Sequence, residues 1–212
     1  MKKKIILLLF MFLLTSCTSV RNKDYSNLIE EVITSKYNIK NQYRTGYSYY
    51  TPTGINSINT TNYNEILSSS NYKYYLYVDV VSYYNRVISE YNVDNNAYYS
   101  KVINHDDKYG YIEINKQDNK KYLVEIMYNY AKIEVMVEEY DIAYAVTNSM
   151  IILSSIDYNS DILSSIIGDN VLEFNEETFD IFQAKKKETT YLDVGSSNNV
   201  EEDKIDDPDL IK

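Results

Sequence analysis

The chain has 212 residues, with 31 Asp and Glu against 21 Lys and Arg and a formal net charge of −10. Such acidity excludes nucleic acid as a natural partner and opposes a face-down association with anionic lipid. Its single cysteine rules out an intrachain disulfide, so the fold must be held by its core.

The first element is a leader. Lys2, Lys3 and Lys4 precede the apolar run Ile5–Leu14, and the segment closes on Leu14-Thr15-Ser16-Cys17. Basic, apolar, then small is the order of a secretory signal. About ten apolar residues fall short of the ~20 that span a bilayer as a helix. Leu14-Thr15-Ser16-Cys17 resembles the bacterial lipobox. The resemblance implies cleavage before Cys17, lipidation of its thiol, and anchoring at the outer, extracytoplasmic face of the cell membrane. Each buried CH₂ contributes ~0.8 kcal/mol, and two acyl chains meet the two-signal condition for stable anchoring. Residues 1–16 thus read as a lipoprotein signal peptide and 17–23 as the lipidated cysteine with its tether. Thr18–Lys23 reaches at most ~20 Å, which keeps the domain near the membrane.

Residues 24–182 read as one domain and 183–212 as an acidic tail too polar to order itself. In Asp24–Lys36, Leu28, Ile29, Val32 and Ile33 recur at helical spacing, with Ser26 as the expected cap of a short amphipathic helix. From Tyr47 the period changes to two. Tyr47–Thr51 reads as a strand ended by Pro52 and the Thr53-Gly54 turn. Tyr63–Leu67 and Tyr72–Tyr84 read as hairpin arms around Ser68–Asn71. Adjacent tyrosines (Tyr49-Tyr50, Tyr74-Tyr75, Tyr83-Tyr84, Tyr98-Tyr99) place one ring on each face. A sheet covered on one side and partly shielded on the other is expected.

Ile88–Asn96 reads as a loop, and the strands Ala97–His105, Gly110–Lys116, Lys121–Asn129 and Ala131–Glu138 read as a meander. In the last of these, Ala131, Ile133, Val135 and Val137 alternate cleanly with Lys132, Glu134, Met136 and Glu138. Asp141 is expected to cap a helix to Ile156 whose stripe (Ile142, Val146, Met150, Leu153, Ile156) packs on the meander. A short helix, Asp161–Ile167, and a strand or docked segment, Val171–Phe182, complete the domain. The fold class is α+β: an antiparallel sheet with helices on one face. Over residues 45–182 the element order is similar to that of the extrinsic photosystem protein PsbP family. Tyr49-Tyr50-Thr51-Pro52-Thr53-Gly54 and Ile152-Leu153-Ser154-Ser155-Ile156 carry the resemblance. What it implies is a docking module, with no catalytic residue to carry over.

Chemistry-bearing residues are sparse. His105 beside Asp106 and Asp107 has the makings of a metal ligand or general base, but Lys108 and Gly110 make a solvated turn the better reading. Asp157-Tyr158-Asn159-Ser160-Asp161 opens like a calcium loop, yet Ile162 stands where Gly is needed and Gly168 where a bidentate Glu belongs. Asp161 therefore reads as a helix cap. Glu125 and Glu134 fall on adjacent predicted strands, and paired carboxylates can hydrolyse glycosides. With Lys132 nearby they read as a solvated strand face. The 25 tyrosines, against 5 Phe and no Trp, fit either a ring-bearing binding surface or AT-rich codon usage. No metal or cofactor is expected. The expected function is a non-catalytic binding module at the cell envelope, tethered through Cys17, whose partner is an envelope protein, peptide or glycan. The alternative is an envelope hydrolase using Glu125, Glu134 or Asp79.

Overall fold

The structure, a computed structural model, describes residues 24–35, 39–61, 63–69 and 71–167. In chain order, α1 (Tyr25–Thr34) leads into a short hairpin, β1 (Gln42–Arg44) and β2 (Tyr47–Tyr49). β3 (Asn56–Thr61), β4 (Asn64–Ser68) and β5 (Lys73–Val78) follow, and α2 (Val80–Asn85) turns the chain. The meander is β6 (Tyr99–His105), β7 (Lys108–Lys116), β8 (Lys121–Tyr128) and β9 (Ala131–Glu138). α3 (Ile142–Ser154), β10 (Asp157–Tyr158) and α4 (Ser160–Ile167) complete the described chain. Two antiparallel sheets result: a seven-stranded one in the order β3-β4-β5-β9-β8-β7-β6, and a three-stranded one, β1-β2-β10.

The alternation of β9 sets the core. Ile133 lies opposite Ile126 of β8 and Leu76 of β5, and Val135 opposite Val124 and Tyr74. All six side chains are buried and belong to a single apolar cluster. α3 covers this face with Ile142, Val146, Met150 and Leu153, each wholly buried, and α1 lies beside α3 through Leu28, Ile29 and Val32. The α+β class, the meander and the helix-covered face are as the sequence predicts.

Register gives the large sheet two distinct ends. Tyr99, Lys116, Tyr122 and Glu138 mark the entry end, where Tyr25 at the start of α1 meets the ring of Tyr99 edge-on at 5.2 Å. His105, Tyr128, Ala131 and Val78 mark the far end. The two are separated by the length of an eight-residue strand, about 25 Å at ~3.3 Å per residue.

Several local expectations are corrected. Asp24 rather than Ser26 caps α1, its Oδ1 accepting from Ser26 N at 3.2 Å. Tyr72–Tyr84 is not one strand. Asp79 Oδ1 accepts from Ser82 N at 2.8 Å and opens α2, so Tyr83 and Tyr84 are helical. Asp141 makes no cap bond; a 3-10 turn, Glu139–Asp141, precedes α3, and Asp141 Oδ2 accepts from Tyr72 Oη at 2.6 Å. β1, β3 and β10, absent from the sequence reading, form on polar segments that gain order from the strands they pair with. The expected signal peptide, Cys17, the expected tether, Val171–Phe182 and the acidic tail lie outside the described residues.

Leu153 is fully buried, and truncating such a side chain typically costs ~2–5 kcal/mol. Leu153→Ala should lower stability by that order in denaturant melts. Ile88→Ala, at a site 48% exposed, should change it by no more than about 0.5 kcal/mol.

Candidate functional site

Alternation along β4 sends Glu65 and Leu67 to the helix-covered face, opposite Leu76 and Tyr74. A fully buried carboxylate results, which must collect donors to remain ionised. The hairpin supplies them. Tyr47 Oη donates to Glu65 Oε1 at 2.8 Å, while Arg44 Nη2 and Tyr49 Oη reach Oε2 at 2.6 and 2.8 Å. Ser57 and Thr60 of β3 add longer contacts at 3.1 and 3.3 Å. Burial, and then Glu65, push the phenols of Tyr47 and Tyr49 far above their ordinary range, so both remain donors. Burial works against the Arg44 charge, but the bond and charge of Glu65 outweigh it and hold the guanidinium above its usual range.

On the opposite face, register lines up three carboxylates across the meander. Glu113 of β7 lies opposite Glu125 of β8, which lies opposite Glu134 of β9. The sequence expectation that Glu125 and Glu134 are neighbours holds; the expectation that they are solvated does not. Glu113 and Glu134 are buried and Glu125 is half-buried. The 87–98 connection folds over this face, where Tyr91 stacks on Tyr111 at 4.0 Å with planes 6° apart. Tyr91 Oη donates to Glu113, and Asn115 Nδ2 donates to its other oxygen at 2.6 Å. Tyr111 Oη donates to Glu125 at 2.5 Å, and Lys132 Nζ lies 3.0 Å from Glu134. Burial raises the Glu125 pKa. Lys132 and Tyr111 oppose the shift, while Glu134 and Glu113 reinforce it.

At the far end lies an open groove of about 480 Å³, lined by Tyr43, Arg44, Gly46, Tyr47, Ser48 and the run Asp157–Ile162. β10 pairs with β2, and Asn159 N donates to Gly46 O at 2.8 Å, which brings the two walls together. Gly46 has φ of +89°, and a Cβ there would meet Leu163 Cδ2 at 2.4 Å, so only glycine fits under α4. Tyr158 fixes the floor to the large sheet. Its hydroxyl donates to Asn129 O at 2.8 Å and its ring stacks on Tyr83 at 3.9 Å. Tyr43 stands 71% exposed on the rim. Asn159 Oδ1 accepts from Ile162 N at 3.0 Å, so Asn159, not Asp161, caps α4. Asp157 and Asp161 border the groove.

The other residues singled out in the sequence are dispersed. His105 sits at the end of β6, its Nε2 3.6 Å from Asp106 in an exposed turn. Asp79 is occupied as the α2 cap. Among the described residues no group of three or more His, Cys, Asp or Glu side chains is arranged to hold a metal ion, and no helix is long and apolar enough to cross a membrane. Sequence reasoning missed Glu65, Glu113 and the groove. The sole signal for the first was a pair of same-face rings, Tyr47 and Tyr49, two strands before it. No protein-family model, curated protein or solved structure matches the chain.

The raised Glu125 pKa has a stability consequence. The folded chain retains a proton that the unfolded chain releases in the ordinary glutamate range. This contribution favours folding at low pH and is lost as pH rises through the folded value. Glu125→Gln keeps an acceptor for Tyr111 and removes the charge. Thermal melts across pH should show it more stable than the parent near neutrality, with the gap closing below the ordinary glutamate range. A lower midpoint at neutral pH would mean that Lys132 outweighs burial.

Proposed function

We propose that the chain is a lipid-anchored, extracytoplasmic binding module that holds a hydroxyl-rich ligand, an envelope glycan, in the groove between β2, β10 and α4. The lipobox-like Leu14-Thr15-Ser16-Cys17 supports the anchor, and the groove carries the binding reading. Its volume falls in the range of small-molecule sites, ~300–1,000 Å³. The exposed ring of Tyr43 offers a flat apolar face to the C–H side of a sugar. Asp157, Asp161, Ser48 and Ser160 on the lining offer acceptors and hydroxyls to its oxygens. Two carboxylates beside one guanidinium favour a neutral polyol over an acidic peptide. The carboxylates weighed for hydrolysis are differently employed: Glu125 and Glu134 are bonded to Tyr111 and Lys132, and Asp79 caps a helix. Those ties support binding over the hydrolase alternative.

Cys17→Ser should abolish incorporation of labelled fatty acid and move the protein from the membrane to the soluble fraction of cells. Retention with undiminished labelling would dismiss the anchor.

For the groove, calorimetric titration of that soluble variant with cell-envelope polysaccharide fragments should give saturable binding. Loss of a ring contact worth ~1–1.5 kcal/mol predicts that Tyr43→Ala weakens binding about tenfold. Binding that ignores Tyr43→Ala, or a response to acidic peptides alone, would place the ligand elsewhere.

A further inference from the structure

We infer that the entry end of the large sheet rests in the interfacial layer of the bilayer on a collar of tyrosines, so that the groove at the far end opens away from the membrane. The inference rests on the proposed lipid anchor at Cys17.

The collar follows from where the strands end. Tyr98, Tyr140 and Tyr144 are 49%, 55% and 44% exposed. Tyr98 stands just before β6, Tyr140 in the 3-10 turn that follows β9, and Tyr144 one turn further along, in α3. Tyr98 sits in a cluster with Tyr25 and Tyr122. Tyr98 packs edge-on to Tyr122 at 4.9 Å, its hydroxyl bonds that of Tyr25, and the Tyr122 hydroxyl bonds Glu139, the residue before Tyr140. Burial, followed by Tyr98, pushes the Tyr25 phenol up to about 12, so its hydroxyl remains neutral at any physiological pH. Neutral phenols on apolar rings suit the headgroup layer, where one end of the side chain is wet and the other dry.

Chain length brings this end to the lipid. The seven peptide steps from Cys17 to Asp24 span at most about 25 Å whatever their conformation. Tyr25, the next residue, is itself part of the collar. The groove lies a further strand length, about 25 Å, beyond. The entry end carries Asp24 and Asp141 besides Asp118, Glu138 and Glu139, so the layer it meets is one of neutral headgroups rather than anionic ones.

Because the chain has no tryptophan, a single introduced indole reports depth without background. The full lipidated protein carrying Tyr140→Trp, and separately Tyr43→Trp, is reconstituted into phosphatidylcholine vesicles containing lipid brominated high on the acyl chain. Tyr144→Trp serves as a second collar probe should the first fold poorly. An interfacial ring lies within ~5–10 Å of the acyl boundary, so the collar probe should lose about half its emission or more and shift to the blue, while the groove probe stays unquenched. Vesicle flotation with an unquenched collar, a quenched groove probe, or equal quenching of both leaves the anchor standing and overturns the orientation. Failure of the lipidated protein to float overturns the anchor and the orientation with it.

Discussion

The burial of one carboxylate, Glu65, is the constraint from which the irregular half of the structure follows. An ion of this kind taken from water costs several kcal/mol unless its lone pairs are filled by well-placed donors. Here Arg44, Tyr47 and Tyr49 all come from the β1–β2 hairpin, with Ser57 and Thr60 from β3. Strands of three and two residues, as in the small sheet, have too few ladder bonds to hold a position alone. The carboxylate holds them from the large sheet. Tyr47 and Ser48, fixed in this way, become one wall of the groove, and β10, paired on β2, becomes the other. The groove is therefore a consequence of satisfying a buried charge.

The same rule explains why tyrosine, not phenylalanine, fills so much of this protein. Tyr47, Tyr49, Tyr91 and Tyr111 each donate to a glutamate while their rings pack as apolar bodies. Phenylalanine would leave each of those acceptors a donor short. Like charges directly opposite one another destabilise a sheet, so the row Glu113, Glu125, Glu134 needs compensation on every strand. Tyr91 and Asn115 supply it to Glu113, Tyr111 to Glu125, and Lys132 to Glu134. AT-rich codons can account for an abundance of tyrosine; they do not account for hydroxyls that meet carboxylates at these four places.

What was legible in the sequence divides along the line between periodicity and long-range satisfaction. β9 could be read from Ala131 to Glu138 because its alternation is enforced by a buried face on one side. α3 was readable through Ile142, Val146, Met150 and Leu153 for the same reason. Glu125 beside Glu134 followed from two strands and a tight turn. Glu65 could not be read this way, since a Glu in a short strand looks solvated until the partners 16, 18 and 21 residues away are in place. The break after Val78 was hidden because Tyr-rich alternation runs on into α2, where the Asp79–Ser82 bond opens the helix. β10 is two residues long and exists through its pairing with β2. No local pattern announces such a strand.

The regular and irregular halves meet along α3. Its N-terminal end is tied to the entry end through Asp141 and Tyr72. Just past its C-terminal end, the Ser155 hydroxyl accepts from Tyr50 N at 2.9 Å and the Ser155 carbonyl accepts from Lys40 Nζ. The helix thereby spans from the strand ends that bear the tyrosine collar to the segments that frame the groove. Buried side chains line α3 between these ties, and a close-packed core transmits position without slack. The residues that line the groove stand on turns and two- or three-residue strands, where side chains can change without disturbing the ladder of the meander. α3 thus joins the ladder of the meander to a rim on short, irregular segments, and it keeps the stability of the core separate from the side chains that line the groove.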